Sequence, residues 1–273
     1  MRKTLVFHLY VGEDIDTNKA YKIHKACLTY YRNVFDNVKF IVALDDLGDK
    51  LLRGKGFDFI NSIGYDCEVT IDVRKNTNLY EVETLKREVL DIKNQNGESI
   101  FFAHVKGVKN FREFEYTDSI ENWVYTMYFY NLNYIKYVED LFVGKQGNTE
   151  VMFGTLLMET EERDPLLCLS KYHFAGTYYW FNNQFYKNLV KYNRIDEFIP
   201  SNRMDGEMMP GLLFERNCYG YGIRTMNDVC FELIDYPHSF YLLNEEQWDY
   251  VHNILGDKEL FNNFRNEVKN IVG

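Results

Sequence analysis

Three short clusters gather side chains that can do chemistry. The first is Asp45-Asp46, which follows the apolar run Lys39-Phe-Ile-Val-Ala-Leu44 and precedes Leu47-Gly-Asp49. A carboxylate accepts hydrogen bonds from the N–H groups of nucleobases and from ribose hydroxyls. The second is His104-Val-Lys106, which closes the apolar run Ser99-Ile-Phe-Phe-Ala-His-Val105. Lysine neutralises a phosphate as a point charge, and histidine donates to a phosphate oxygen or a sugar hydroxyl. The third is Asp205-Gly-Glu207 at the start of a helical pattern that runs to Arg216. A carboxylate there can take a proton from an acceptor hydroxyl, or can simply cap the helix and complement its dipole. The residues alone leave both roles open for Glu207 and for Asp205.

Other candidates surround these clusters. Tyr10 ends the first apolar run, and Arg74 follows the third in Asp72-Val-Arg-Lys-Asn76. In His173-Phe-Ala-Gly176-Thr-Tyr-Tyr-Trp180, Gly176 lets backbone approach a ligand closely. His173, Tyr179 and Trp180 are candidate sugar contacts, because aromatic rings are amphipathic platforms. Tyr178–Trp180 cannot all face one way, so at least one of them belongs to the core.

The elements that must position these groups are legible as alternating patterns. Thr4–Val11, Lys39–Leu44, Cys67–Val73 and Ser99–Val105 read as strands. Between them, Ala20, Ile23, Cys27, Tyr30/Tyr31 and Val34 step as a helix, with Asp16 and Thr17 able to cap it. Leu79, Val82, Leu85, Val89 and Ile92 define another. Strand–helix alternation predicts parallel strands covered on both faces, and such sheets bind ligands at the carboxyl ends of their strands. Tyr10, Asp45, His104 and Lys106 all sit at those ends and are expected on one cleft. Farther on, the pattern predicts one helix over 117–141, a strand over 150–158, a helical segment from Tyr178 to Leu189, and one or two helices after Asn244.

Composition excludes several classes. The chain has 273 residues with 31 Lys+Arg against 41 Asp+Glu, a net charge of −10. That balance disfavours nucleic-acid binding and polybasic membrane anchoring. Aromatic residues make up 17%, which excludes general disorder. Five cysteines form no CxxC pair, which fits free thiols in a reducing compartment. The apolar N-terminal run is interrupted by His8 and reads as a first strand rather than a signal peptide. No stretch reaches the ~20 apolar residues of a membrane span. A soluble, cytoplasmic protein is expected, compatible with peripheral attachment to the inner membrane face. The expected organisation is one α/β domain over residues 1–225 and a C-terminal helical appendage over 226–273.

The strand–helix–Phe40-Ile-Val-Ala-Leu-Asp-Asp-Leu-Gly-Asp49 opening resembles that of GT-A-fold glycosyltransferases. Phe102-Ala-His104-Val-Lys106-Gly107, Trp123 with Met127, and His173-Phe-Ala-Gly176-Thr-Tyr-Tyr-Trp180 look like segments of bacterial capsule and polysaccharide glycosyltransferases. Asp205-Gly-Glu207 is similar to the acidic pair that opens a late helix in inverting members. The resemblance covers roughly residues 3–225. It implies a GT-A-like, mostly parallel sheet with helices on both faces, a nucleotide-sugar donor and a saccharide acceptor. It implies donor contacts from Tyr10, Asp45, Asp46, Arg74, His104, Lys106 and Gly176, with Glu207 or Asp205 as the base. One departure matters: the family's metal-binding Asp-x-Asp is replaced by His104-Val-Lys106, so the expected diphosphate site is metal-independent and no metal ligand is assigned. The same departure keeps a catalytically inactive nucleotide- or sugar-binding module as the alternative.

Overall fold

The computed structural model describes residues 2–90, 99–108, 117–143, 152–159, 172–174, 176–182, 206, 218–222 and 243–272. Its first half is built from four parallel strands: β1 (Lys3–Tyr10), β2 (Asn37–Leu44), β3 (Glu68–Lys75) and β4 (Ser99–His104). Their order across the sheet is β3-β2-β1-β4. Alternation decides which face each side chain takes. Leu5, Phe7 and Leu9 join the main core, while His8 turns the other way to meet Thr84.

On the main-core face lie α1 (Lys19–Tyr30) and α2 (Lys50–Asn61). The cap of α1 is Asn18, whose side chain accepts from the Ala20 amide, rather than Asp16 or Thr17. Thr17 Oγ1 donates to the Asp14 carbonyl at 3.3 Å and Asp16 pairs with Lys55 at 2.7 Å, so both expected caps are engaged elsewhere. The sequence pattern does not predict α2, because Gly54 and Gly56 interrupt its apolar stripe. Gly56 has a packing reason: a Cβ there would lie 3.1 Å from Val11 and 3.3 Å from Val42. The opposite face carries α3 (Glu81–Leu85), continued by a π turn over Lys86–Leu90.

The predicted helix over 117–141 is two helices, α4 (Thr117–Leu132) and α5 (Ile135–Val143). At the break, the Asn131 carbonyl accepts from Trp180 Nε1 at 2.8 Å. Beyond β4 the sheet becomes mixed. The remaining strands are β5 (Met152–Glu159), β6 (Tyr172–Phe174), β7 (Tyr179–Asn182) and β8 (Cys218–Gly222). β7 pairs antiparallel with β4, β5 antiparallel with β7 and β6, and β8 parallel with β5. The helix expected from Tyr178 is therefore corrected, since Tyr179–Asn182 is a strand. An unbroken aromatic run shows no period, and pairing on both sides decides its state. Residues 183–189 of that expectation lie outside the described residues.

At the C-terminus, α6 (Glu245–Leu255) starts with a capping box between Asn244 and Gln247, and α7 (Lys258–Val272) follows. Both share the core with α1 and α4. Phe264 packs 5.1 Å from Tyr30, and Phe261 packs 5.5 Å from Phe129. The buried Glu121 of α4 ties the group together, bonding Lys19 at 2.6 Å, the Tyr125 hydroxyl at 2.9 Å and Lys269 at 3.7 Å. Among the described residues, no helix is long and apolar enough to cross a membrane.

Candidate functional site

Three parallel strands end side by side, with Tyr10 opposite Ala43 and Leu44 opposite Lys75. The next residues therefore meet. The Tyr10 hydroxyl donates to Asp45 Oδ2 at 2.8 Å, and Asn76 Nδ2 donates to Asp45 Oδ1 at 2.9 Å. Asp46 accepts from the Gly48 amide at 2.8 Å, and Asp49 caps α2 through the Leu52 amide. One side of this cluster is a cleft of about 660 Å³ with Tyr10 and Gly12 in its wall. Its described lining carries five carboxylates (Glu13, Asp14, Asp45, Asp46 and Asp49) and no cation. Such a surface accepts hydrogen bonds from hydroxyl and N–H donors and repels a bare phosphate.

The other side of Asn76 is a smaller pocket of about 270 Å³ with the opposite charge balance. It has Arg74, Lys75 and Arg87 against Glu83, with Ile41 and Ala43 as its apolar part. Arg74 is already engaged. It donates to Asp72 through Nε and to both Asp72 and the buried Glu88 through Nη2. Lys39 reaches the same Glu88 at 2.5 Å. Arg74 therefore serves as part of an ion-pair group beneath the pocket as well as a cation in its wall. His8 lies beside it, its Nδ1 2.9 Å from Thr84 Oγ1. Burial, then the Arg74 charge, lower the His8 pKa to about 4, so its ring is neutral at pH 7.

The end of β4 is built differently. His104 is opposite His8 in the register and therefore falls two residues short of the level of Tyr10. It is buried, with Nδ1 3.9 Å from Glu81 Oε1. Lys106 is buried with Nζ 3.9 Å from the centre of the Trp123 ring, a cation–π contact. Gly176 closes on the same place: a Cβ there would lie 2.6 Å from Met127 Sδ and 3.5 Å from Lys106 Nζ. The structure thus brings Lys106, Trp123, Met127 and Gly176 together, and separately joins Tyr10, Asp45 and Asn76. The acidic cleft's described lining contains Tyr10, Asp45 and Asp46 but neither His104 nor Lys106. Among the described residues, Tyr10 and Asp45 share the acidic cleft's lining, and Lys106 lies over Trp123.

Gly176 has φ +94°, a conformation that glycine adopts without strain. Gly176→Ala adds both backbone strain and a clash with Met127. It should destabilise the fold by about 1–3 kcal/mol, read as a lower urea midpoint.

Sequence reasoning missed the group that fixes this corner. His24 of α1 sits with Nε2 2.9 Å from both the amide nitrogen and the carbonyl oxygen of Lys106, and with Nδ1 3.1 Å from the Tyr128 hydroxyl. Tyr178 donates to the His104 carbonyl. Burial lowers the His24 pKa to about 4, against the opposing effect of its bond to the Lys106 backbone. A histidine four residues after Ala20, on the apolar stripe of α1, is the signal that marks it.

Of the expected sugar contacts, Tyr179 and Trp180 lie in the core. Trp180 is fully buried, stacks 6.0 Å from Phe35 and donates to the Asn131 carbonyl. Tyr179 is fully buried on the other face, stacks on Phe102 and donates to the Gly206 carbonyl at 3.2 Å. Both are core residues because β7 lies inside the sheet. His173 pairs in register with Met158, and its side chain lies outside the described residues. Asp205 and Glu207 also lie outside them. Gly206 between them is helical and buried, and a Cβ there would lie 2.7 Å from Thr177 and 3.1 Å from Val82. No protein-family model matches the chain, and no curated protein matches it.

Proposed function

We propose that this protein is a GT-A-type glycosyltransferase, binding a nucleotide-sugar donor over the carboxyl ends of its parallel strands and moving the sugar to a saccharide acceptor in cell-surface polysaccharide synthesis. The observation that carries this reading is Asp45, held through both oxygens by Tyr10 and Asn76 where β1, β2 and β3 end. A carboxylate fixed in this way is ready to accept from base or ribose without reorganising. Parallel sheets place ligands at such strand ends. The sequence resemblance offers Lys106 as a cation for the departing diphosphate in the place of the family's metal-binding acids; it lies over Trp123, outside the described lining of the Asp45 cleft.

In an inverting transfer, Glu207 takes the proton of the acceptor hydroxyl, with Asp205 as its neighbour at the helix start. The acceptor oxygen bonds to the anomeric carbon as the bond from that carbon to the diphosphate oxygen breaks. The electron pair leaves with the nucleoside diphosphate, and the proton stays on the base. These two acids come from the sequence resemblance. Gly206, between them in the sequence, is docked against Thr177 and Val82.

The test is a thermal-shift and calorimetric screen of UDP-, GDP-, CMP- and dTDP-sugars, with and without manganese. One nucleotide class should raise the melting temperature, and EDTA should leave that shift intact. Asp45→Ala should weaken binding by roughly 10–100-fold, the scale of hydrogen bonds to a charged group. Glu207→Gln should keep binding but cut turnover by about 10²–10⁴. Failure of every nucleotide sugar to bind would overturn the reading. Tight binding without turnover would instead support the inactive module.

A further inference from the structure

Tyr80, at the rim of the cationic pocket, has φ 48° and ψ −128°, outside the regions that L-residues normally occupy. The turn that imposes this is well bonded. The Tyr80 amide donates to the Thr77 carbonyl at 3.1 Å, and Thr77 Oγ1 donates to Glu83 at 2.7 Å. Glycine would fit this backbone without strain. The tyrosine ring shows no return in packing: it is 41% exposed and makes no hydrogen bond or ring contact among the described residues. It lines the pocket whose apolar part is Ile41 and Ala43. A strained residue with a bare aromatic ring on a cavity is the pattern expected of a ligand platform.

We propose that this pocket receives the nucleobase of a nucleoside phosphate, with Tyr80 as its stacking platform. The base lies between the ring and the Ile41/Ala43 side, and its edge faces Asn76 and Thr77. The phosphate points to the mouth, where Lys75 and Arg87 are exposed. Ribose then falls beside Asp45, which Asn76 joins to this pocket. This assignment rests on the glycosyltransferase reading and specifies which of the two cavities selects the nucleotide. The acidic cleft is left to hydroxyl-bearing sugar.

The test is isothermal titration calorimetry of the full chain with UMP, GMP, CMP, dTMP and inorganic phosphate, on wild type and on Tyr80→Ala, Tyr80→Phe and Tyr80→Gly. At least one mononucleotide should bind wild type and Tyr80→Phe alike. Tyr80→Ala and Tyr80→Gly should weaken it about 10-fold or more, the scale of a lost base–aromatic stack. Tyr80→Gly should also hold or raise the melting temperature, because it relieves the backbone. Wild-type affinity in Tyr80→Ala would overturn the pocket assignment and leave the glycosyltransferase reading standing. So would inorganic phosphate binding as tightly as the mononucleotide. Loss of binding accompanied by lower melting temperatures in both truncated variants would make Tyr80 a structural residue and also overturn it. Absence of any nucleotide binding to wild type would overturn both readings.

Discussion

Acidification from pH 7 to pH 4 should unfold the protein in a transition that takes up about three protons. Burial lowers the pKa of His8 and His24 to about 4 and that of His252 to about 3. The unfolded value is near 6.5, so between these limits the unfolded chain binds more protons than the folded one. Stability is then full above pH 6.5 and falls as pH drops toward 4. Each neutral ring contributes on the order of 3 kcal/mol across that window. Together they approach the whole stability of an ordinary domain.

The surroundings explain why no partner rescues the charge. His8 contacts Thr84 and feels Arg74. His24 is enclosed by Tyr128, Tyr178 and the Lys106 backbone. His252 lies 3.6 Å from the Phe261 ring centre, with Asp249 favouring its charge and Arg265 and Lys258 opposing it. Tryptophan fluorescence against pH, with proton uptake measured alongside, checks the prediction. His252→Gln should reduce the uptake by about one proton. A transition that begins only below pH 4 would assign acid unfolding to carboxylates instead.

Trp180→Ala should cost about 3–5 kcal/mol, the range for removing a buried tryptophan. For a chain of this size that lowers the melting temperature by roughly 10 °C. The ring loses its neighbours Phe35 and Phe101, and the Asn131 carbonyl loses the indole donor. Trp180→Phe keeps part of the volume and should cost less. Nucleotide affinity of the folded fraction should be unchanged in both. A variant that kept its melting temperature and lost turnover would return Trp180 to the sugar site.

The first half of the fold was readable because its signals are local and redundant. The parallel strands β1, β2 and β4 are short apolar runs and β3 alternates apolar with polar residues, and each ends in polar residues that the topology then lines up. Tyr10 and Asp45 carry this signal, and they are hydrogen-bonded. Asn76 carries no such signal, because its role depends on the register between β2 and β3, which no local pattern specifies. The Tyr178–Phe181 run misled for the opposite reason. Four aromatic residues in succession carry neither a period of two nor one of 3.6, and only pairing with β4 and β5 decides their state. Lys106 was legible as a cation at a strand end, but not its position over Trp123, which depends on how α4 packs. α2 was hidden by its glycines, although Gly56 is required where the helix meets Val11 and Val42.

The packing of Phe264 against Tyr30 and Tyr31 joins helices more than 220 residues apart in the chain. During synthesis, the matching surface of α1 emerges long before α7 can cover it. At ribosomal rates of about 5–20 residues per second, that interval is roughly 10–50 s. For all that time, two tyrosines and the cysteine-bearing stripe beside them face solvent or a chaperone. The nascent chain is thus most vulnerable to aggregation after its first strands have paired and before its last helix is released.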